Sequence, residues 1–435
     1  ARMHRLRVKV FGDLPNEVAV LSAVAFSVAV GFGIVAPVIP LFAHHFGVGK
    51  AEVGAVLSAF AFMRLASALG VGRLVDAIGE RVVLATGIGI VAVSSALAGF
   101  AHSYLQLLLL RGAGGIGSAM FSVSAMGLLL RVVGPAQRGR SVGLFQGGFL
   151  LGGISGPAIG GPLAAWSIRA PFFVYAGTLV VAGTVAMVGL RRASLARKTE
   201  QVDADQPSRT SLAAAFKQRA YRAALVANLA DSWAAMGVRN TLVPLFVVES
   251  LHRGTAWVGI GFTIVAFFNA ATLIPAGRLV DSRGRRPVMV GGCLLSASSM
   301  ALLALSPNLV GYIIAMVVFG IGSGLLDVAP AAIVGDVAGK RGGTVVAGFQ
   351  MAGDGGSVSG PIVAGWVADT WSYGAAFWLT TGILAGAGAL AARAPDIRAA
   401  NGEPAPDQPA SRRRFRSLPT VEPGPPVLQG DSPPR

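Results

Sequence analysis

Apolar runs long enough to cross a bilayer recur from one end of the sequence to the other, and no other feature limits the fold so tightly. A hydrocarbon layer of roughly 30 Å needs about 20 helical residues at about 1.5 Å each. Such runs occupy residues 18–42, 51–72, 82–101, 104–128, 140–165, 171–190, 223–248, 255–277, 287–305, 310–334, 343–367 and 374–392, which makes twelve. Backbone amides in lipid must be satisfied within each segment, so the expected fold is an all-α polytopic membrane protein of twelve transmembrane helices. With 53% apolar residues and only 13% charged, the chain does not have the composition of a soluble protein of 435 residues. The first run is too long for a signal-peptide core and is read as a span. Cys293 is the single cysteine, which excludes an intramolecular disulfide and a cysteine metal cluster, and the five histidines are scattered. No cofactor, metal or enzymatic activity is expected.

The net charge of +16 raises the question of nucleic acid, and the placement of the charge answers it. Basic residues concentrate in cytoplasmic loops of membrane proteins. If the amino terminus is cytoplasmic, only Lys50, Arg169 and Arg253 fall in outer loops, and Arg64, Arg111 and Arg239 fall inside spans; the remaining Lys and Arg are all on the cytoplasmic side. Both termini are therefore expected in the cytoplasm, with the chain in the inner (plasma) membrane. The lipid bilayer is its expected partner, and nucleic acid is not.

The sequence also repeats itself. GRLVD occurs at Gly72 to Asp76 and again at Gly277 to Asp281, an offset of 205 residues that also superposes GIGS at Gly115 on GIGS at Gly320. At an offset of 204, Phe145-Gln146 falls on Phe349-Gln350 and Ser155-Gly156-Pro157 on Ser359-Gly360-Pro361. Two parallel six-span repeats follow, of the kind whose substrate path runs between the halves. The expected organisation is a cytoplasmic amino terminus (1–17), two six-helix bundles (18–190 and 223–393), a basic cytoplasmic linker between them (191–222) and a disordered tail (394–435). The tail carries ten of the chain's 24 prolines and the run RRRFR from Arg412 to Arg416.

Built from these two repeats, the chain resembles the major facilitator superfamily over essentially residues 10 to 393, and within it the 12-span drug:proton antiporter group. The turn after span 2, GRLVDAIGERVVL, is similar to that family's signature, and GRLVDSRGRRPVM after span 8 is a fuller copy. The resemblance assigns interdomain gating to Gly72, Asp76, Gly79 and Arg81, to Gly277, Asp281, Gly284 and Arg285, and to Arg64. Gly72 would let helix ends approach closely, and Gly79 would make the tight turn. Ala77 and Glu80 depart from the signature, and a weaker charge network is expected in the first copy.

Span 4 reads LLLLRGAGGIGSAMF. The spacing of Gly112, Gly114 and Gly117 matches a dinucleotide fingerprint, but it sits inside a continuous apolar span and not at a strand-to-helix turn. The family's fourth-span pattern, an intramembrane arginine followed by small residues, fits better. Arg111 would cost about 2.5–3.5 kcal/mol at the bilayer centre, which implies a wet cavity, a carboxylate partner or a coupling role. Span 5 carries GGISGPAIGG, and Gly152, Gly156, Pro157, Gly160 and Gly161 match the pattern that marks antiporters in this superfamily. That helix is expected to pack against one from the other half and to bend at the proline.

Charges inside the spans are where transport chemistry is expected. Asp231, Asp327 and Asp354, with Arg111, are the candidates for proton coupling, because a carboxyl in a low-dielectric pocket can exchange a proton near neutral pH. Asp327 and Asp354 fall on Ser122 and Leu150 in the first half, so they are not inherited symmetry. Counting from the helix ends puts Arg64 and Asp354 within roughly 6 Å of the same depth, so either they meet in one transport state or each has another partner. Candidates for substrate binding are Phe26, Phe32, Phe145, Phe149, Trp233, Arg239, Asn240 and Phe267. The expected function is proton-coupled export of a drug or other small, apolar or amphipathic molecule by a monomer working through alternating access. The alternatives are export of an endogenous lipid, siderophore or sugar, and a non-transporting membrane sensor or scaffold.

Overall fold

The computed structural model describes residues 14–134, 137–190, 212–338 and 343–395, and all regular structure among them is helical. Ten helices are long and apolar enough to cross a membrane by length and composition. The other two expected spans are helical as well, but each departs from the simple pattern. Span 7 is interrupted: Arg219–Ser232 is α-helical, Trp233–Leu242 is a π-helical segment, and Val243–Glu249 resumes the α-helix. Span 11, Gly343–Thr370, is one unbroken helix whose glycines, serines, Gln350 and Asp354 dilute its hydropathy. Span 1 also divides, into Asn16–Val35 and Ile39–His44, because Pro37 lacks the amide the ladder needs there.

The remaining spans are single helices: Lys50–Ile78, Glu80–Gly99, Tyr104–Val132, Arg138–Trp166, Ala170–Gly189, Thr255–Arg283, Arg285–Leu305, Leu309–Ala338 and Tyr373–Ala392. Part of the linker expected over 191–222 is helical. Residues 191–211 lie outside the described residues, Leu212–Lys217 is a short helix, and span 7 starts at Arg219, where Ala220, Ala223, Ala224 and Ala227 are buried. The RRRFR run and nearly all of 394–435 also lie outside the described residues, as do residues 1–13.

Helix contacts repeat between the halves. Span 1 packs on spans 5 and 6, span 2 on span 4, and span 3 on spans 4 and 6; span 7 packs on 11 and 12, span 8 on 10, and span 9 on 10 and 12. Each half surrounds its own apolar cluster, one around Leu21, Leu84 and Phe172, the other around Tyr221, Met289 and Phe377. Exposed apolar side chains such as Leu109, Val180 and Leu305 clothe the outside, as a lipid-facing surface requires.

Two crossings join the halves, span 2 on span 11 and span 5 on span 8. They are copies of one contact. A Cβ on Gly54 would overlap the Pro361 carbonyl, and a Cβ on Gly259 would come within 2.7 Å of the Pro157 carbonyl. Each pair is the repeat image of the other, so in both crossings a glycine lets one helix rest on a proline carbonyl of the other.

Candidate functional site

A cavity of about 1050 Å³ separates the halves. At one end, which carries the turns after His44, Glu249 and Thr370, it is sealed. There Lys50 lies 3.8 Å from Glu249 and 3.5 Å from Asp369, His44 lies 3.0 Å from Glu249, and the Ala51 amide donates to Asp369 at 2.8 Å. At the other end, which carries both GRLVD turns, the halves part: a Cβ on Gly72, Gly143, Gly147 or Gly277 would meet nothing within 4 Å. The cavity therefore opens toward the GRLVD end.

Its two walls differ in charge. The first half contributes Phe32, Phe60, Phe121, Phe149 and Tyr175, with Arg64 and Arg111. Arg111 is only 4% exposed, its guanidinium lies 4.5 Å from the Phe60 ring centroid, and its Nε has no hydrogen-bond partner. No acid forms an ion pair with it among the described residues. The second half contributes Asp327, whose carboxylate accepts from Asn269 at 2.7 Å and faces the cavity. Arg239 interacts electrostatically with both Asp231 and Asp327, and its guanidinium also lies 5.6 Å from the Phe262 ring. Asp231 stands behind this wall with one buried carboxylate oxygen unpartnered and does not line the cavity.

The π-helical segment explains how Arg239 and Asn240 reach the cavity together. Widening the turn places both on the lining, where Arg239 Nε donates to Asn240 at 3.1 Å, and Thr241 bonds back five residues to Met236 at 2.7 Å. π-segments of this kind are frequent at functional sites. Period-3.6 counting along the sequence misses it.

Arg64 and Asp354 meet: the guanidinium donates to the carboxylate at 2.7 Å across the span 2–span 11 seam. Nearer the sealed end, Ser58 donates to the Val358 carbonyl at 2.6 Å in the same seam.

The aromatic candidates divide. Phe32 and Phe149 line the cavity, whereas Phe26, Phe145, Trp233 and Phe267 do not. Phe145 is buried in the first half's core, Trp233 is buried with its indole donating to Thr380 at 3.2 Å, and Phe267 is 56% exposed on the outer face against Phe268. Composition cannot choose a helix face. Phe60, Phe121, Tyr175 and Asn269 are among the lining residues that sequence reasoning overlooked.

The glycine-rich segment of span 5 also needs correcting. Gly152, Gly156 and Gly160 face span 1 of their own half: a Cβ would lie 2.6 Å from the Phe26 carbonyl for Gly152 and 2.5 Å from the Val30 carbonyl for Gly156, and Gly160 abuts Ile34. Only Gly161 and the Pro157 carbonyl reach the other half, at Gly259. Spacing of four residues puts the first three on one ridge, and Gly161 lies one residue round the helix.

In the GRLVD turns, Gly79 and Gly284 take φ of 86° and 95°, the left-handed region glycine tolerates. Gly72 and Gly277 make no close approach, because the halves are apart at that end, and Asp76 is exposed. Two contacts correspond between the copies, one of them with its charges exchanged. Glu80 pairs with Arg131 where Arg285 pairs with Asp336 at 3.0 Å, and Arg81 donates to the Met187 carbonyl where Arg286 donates to the Ala392 carbonyl. All four contacts are within a half, not between halves.

Comparison with known proteins agrees with this geometry. The profile of the Major Facilitator Superfamily matches residues 21–252 and again 225–424. An uncharacterized MFS-type transporter of Methanocaldococcus jannaschii is 24% identical over 86% of this chain and 98% of its own length. Quinolone resistance protein NorA of Staphylococcus aureus is 29% identical over 175 residues, which is 40% of this chain and 45% of NorA. Among solved structures, a bacterial homolog of the human lysosomal transporter Spinster, inward-facing and unoccupied, superposes with a TM-score of 0.70 over 87% of this chain and 96% of that one, at 13% identity. The nucleoside transporter NupG does so with 0.66 over 86% and 98%, at 15% identity.

Proposed function

Because the chain belongs to the Major Facilitator Superfamily and is a multi-pass secondary transporter of small molecules, we propose that the cavity is the substrate path of a proton-coupled exporter. The observation that carries this reading is the Asp327 carboxylate, open to the cavity and sharing Arg239 with Asp231. A proton that binds there changes the charge of the wall that substrate must touch. Asp354, tied to Arg64, senses the separation of the halves, and Arg111 sets the potential of the opposite wall. The partial likeness to NorA, which is named for quinolone resistance, favours amphipathic drugs over the alternatives of lipid, siderophore or sugar.

The bias of Lys and Arg toward the GRLVD end supports placing that end, with both termini, in the cytoplasm of the plasma membrane, and with it an inward-facing reading of the cavity. The bundles 18–190 and 223–393 then rock about the two glycine crossings, and the GRLVD turns at Asp76 and Asp281 close against one another when the inner end shuts. One proton entering down a 100 mV potential supplies about 2.3 kcal/mol, enough for roughly a fifty-fold gradient of a neutral solute.

The test is efflux of an amphipathic dye from proteoliposomes under an imposed pH gradient. Asp327→Asn and Asp354→Asn are expected to abolish the gradient dependence while facilitated, downhill movement persists. If both variants keep full gradient-driven efflux, the coupling assignment fails. If the unmodified chain moves neither dye nor protons under any gradient, it is a sensor or scaffold.

A further inference from the structure

The two walls of the cavity present ionisable groups of opposite kind. On the first half, among the described residues, the ionisable side chains along the cavity are Arg64, Arg111 and Tyr175. Arg64 is neutralised by Asp354, which leaves Arg111 as a cation that is 4% exposed, over the Phe60 ring and without an ion-paired acid among the described residues, with Tyr175 on the same wall. On the second half, the one cation Arg239 faces two carboxylates, Asp231 and Asp327, and Asp327 is the one in the open. A buried cation without a counter-ion is costly, and a ligand carboxylate that accepts from a guanidinium and a tyrosine hydroxyl removes that cost. An ammonium group placed at Asp327 and Asn269 does the same for the facing wall. Aromatic rings lie between the two.

We infer that the cavity selects zwitterionic amphiphiles, aromatic molecules bearing one anionic group for Arg111 and Tyr175 and one cationic group for Asp327, in preference to purely cationic or purely anionic ones. This rests on reading the cavity as the substrate path.

Three matched probes isolate the charge: 2-naphthylalanine is the zwitterion, its methyl ester the cation, and its N-acetyl derivative the anion. Binding to the purified full chain is read as a rise in thermal midpoint, followed by a fluorogenic maleimide that reacts with Cys293, a thiol buried in the fold. The zwitterion is expected to bind about tenfold more tightly than either relative, the scale of one charge-assisted hydrogen bond. In Arg111→Gln the advantage over the ester disappears while the ester's own affinity holds, and in Asp327→Asn the advantage over the N-acetyl form disappears. The comparison on the unmodified chain decides the matter even if a variant does not fold. Equal affinity for zwitterion and ester, no stabilisation by the zwitterion at any soluble concentration, or an advantage over the ester that survives Arg111→Gln overturns the inference. No gradient enters the assay, so a failure of proton coupling leaves this result intact, and a preference for the ester leaves the exporter reading intact.

Discussion

Arg64 on span 2 and Asp354 on span 11 form a hydrogen-bonded ion pair of 2.7 Å that crosses between the halves where the seam meets the cavity. One partner comes from each half, so any motion that separates these spans must break it. Arg64→Gln and Asp354→Asn should each shift the population away from the form sealed at the Lys50 end. The exchanged pair, Arg64→Asp with Asp354→Arg, should return much of it. The side chains are partly solvated, so the coupling expected from a double-mutant cycle is about 1 kcal/mol, roughly fivefold in population. Spin labels on cysteines replacing Trp166 and Trp371, both exposed at the sealed end, report the separation once Cys293 is replaced by serine. Strictly additive single substitutions would remove the pair from any role in the equilibrium.

Much of this architecture was legible in the sequence because repeated words mark physical contacts. Ser-Gly-Pro recurs since in each copy the proline carbonyl meets a glycine of the other half while the preceding glycine packs on the first span of its own half, and the glycines of the two GRLVD turns recur since both turns need positive φ. Arg64 and Asp354 could be matched in depth because spans 2 and 11 are unbroken helices, for which counting residues measures height. What stayed hidden depends on contacts remote in sequence. The π-helical turn in span 7 is a tertiary accommodation with no composition of its own. The swap of Glu80–Arg131 for Arg285–Asp336 looked like decay of a motif because its compensating change is 51 residues downstream in each half. Which phenylalanines reach the cavity depends on helix rotation, and Phe26 and Phe32 on the same span face different surroundings.

The glycine crossings make a second prediction. Gly54 and Gly259 rest on the carbonyls of Pro361 and Pro157, so any side chain there must push the helices apart. Leucine at either position should open the sealed end, lengthening the Trp166–Trp371 label distance, at a cost of about 1–3 kcal/mol to the described form; alanine should do less. Because the contacts are images of one another, the two leucine variants should lose transport to a similar degree. Gly70→Leu is the control, since a side chain there enters open space. An unchanged distance in Gly54→Leu would mean that the halves do not pivot on these crossings.

Glu249 is the hub of the sealed end, where it gathers groups from both halves: His44 at 3.0 Å, Lys50 at 3.8 Å and the Tyr373 hydroxyl, which donates at 2.5 Å. The His44 Nδ1 lies 2.9 Å from the Val48 carbonyl, which fixes the ring with Nε2 toward Glu249. Lys50 is shared with Asp369, at 3.5 Å, and lies over the Tyr373 ring at 4.9 Å. Removing the carboxylate therefore releases groups from both halves at once. Glu249→Gln should lengthen and broaden the Trp166–Trp371 distance distribution, because Lys50 and Tyr373 lose their shared acceptor. Tyr373→Phe, which removes only a contact within the second half, should broaden it less. An unchanged distribution in Glu249→Gln would remove this cluster from any role in holding the sealed end.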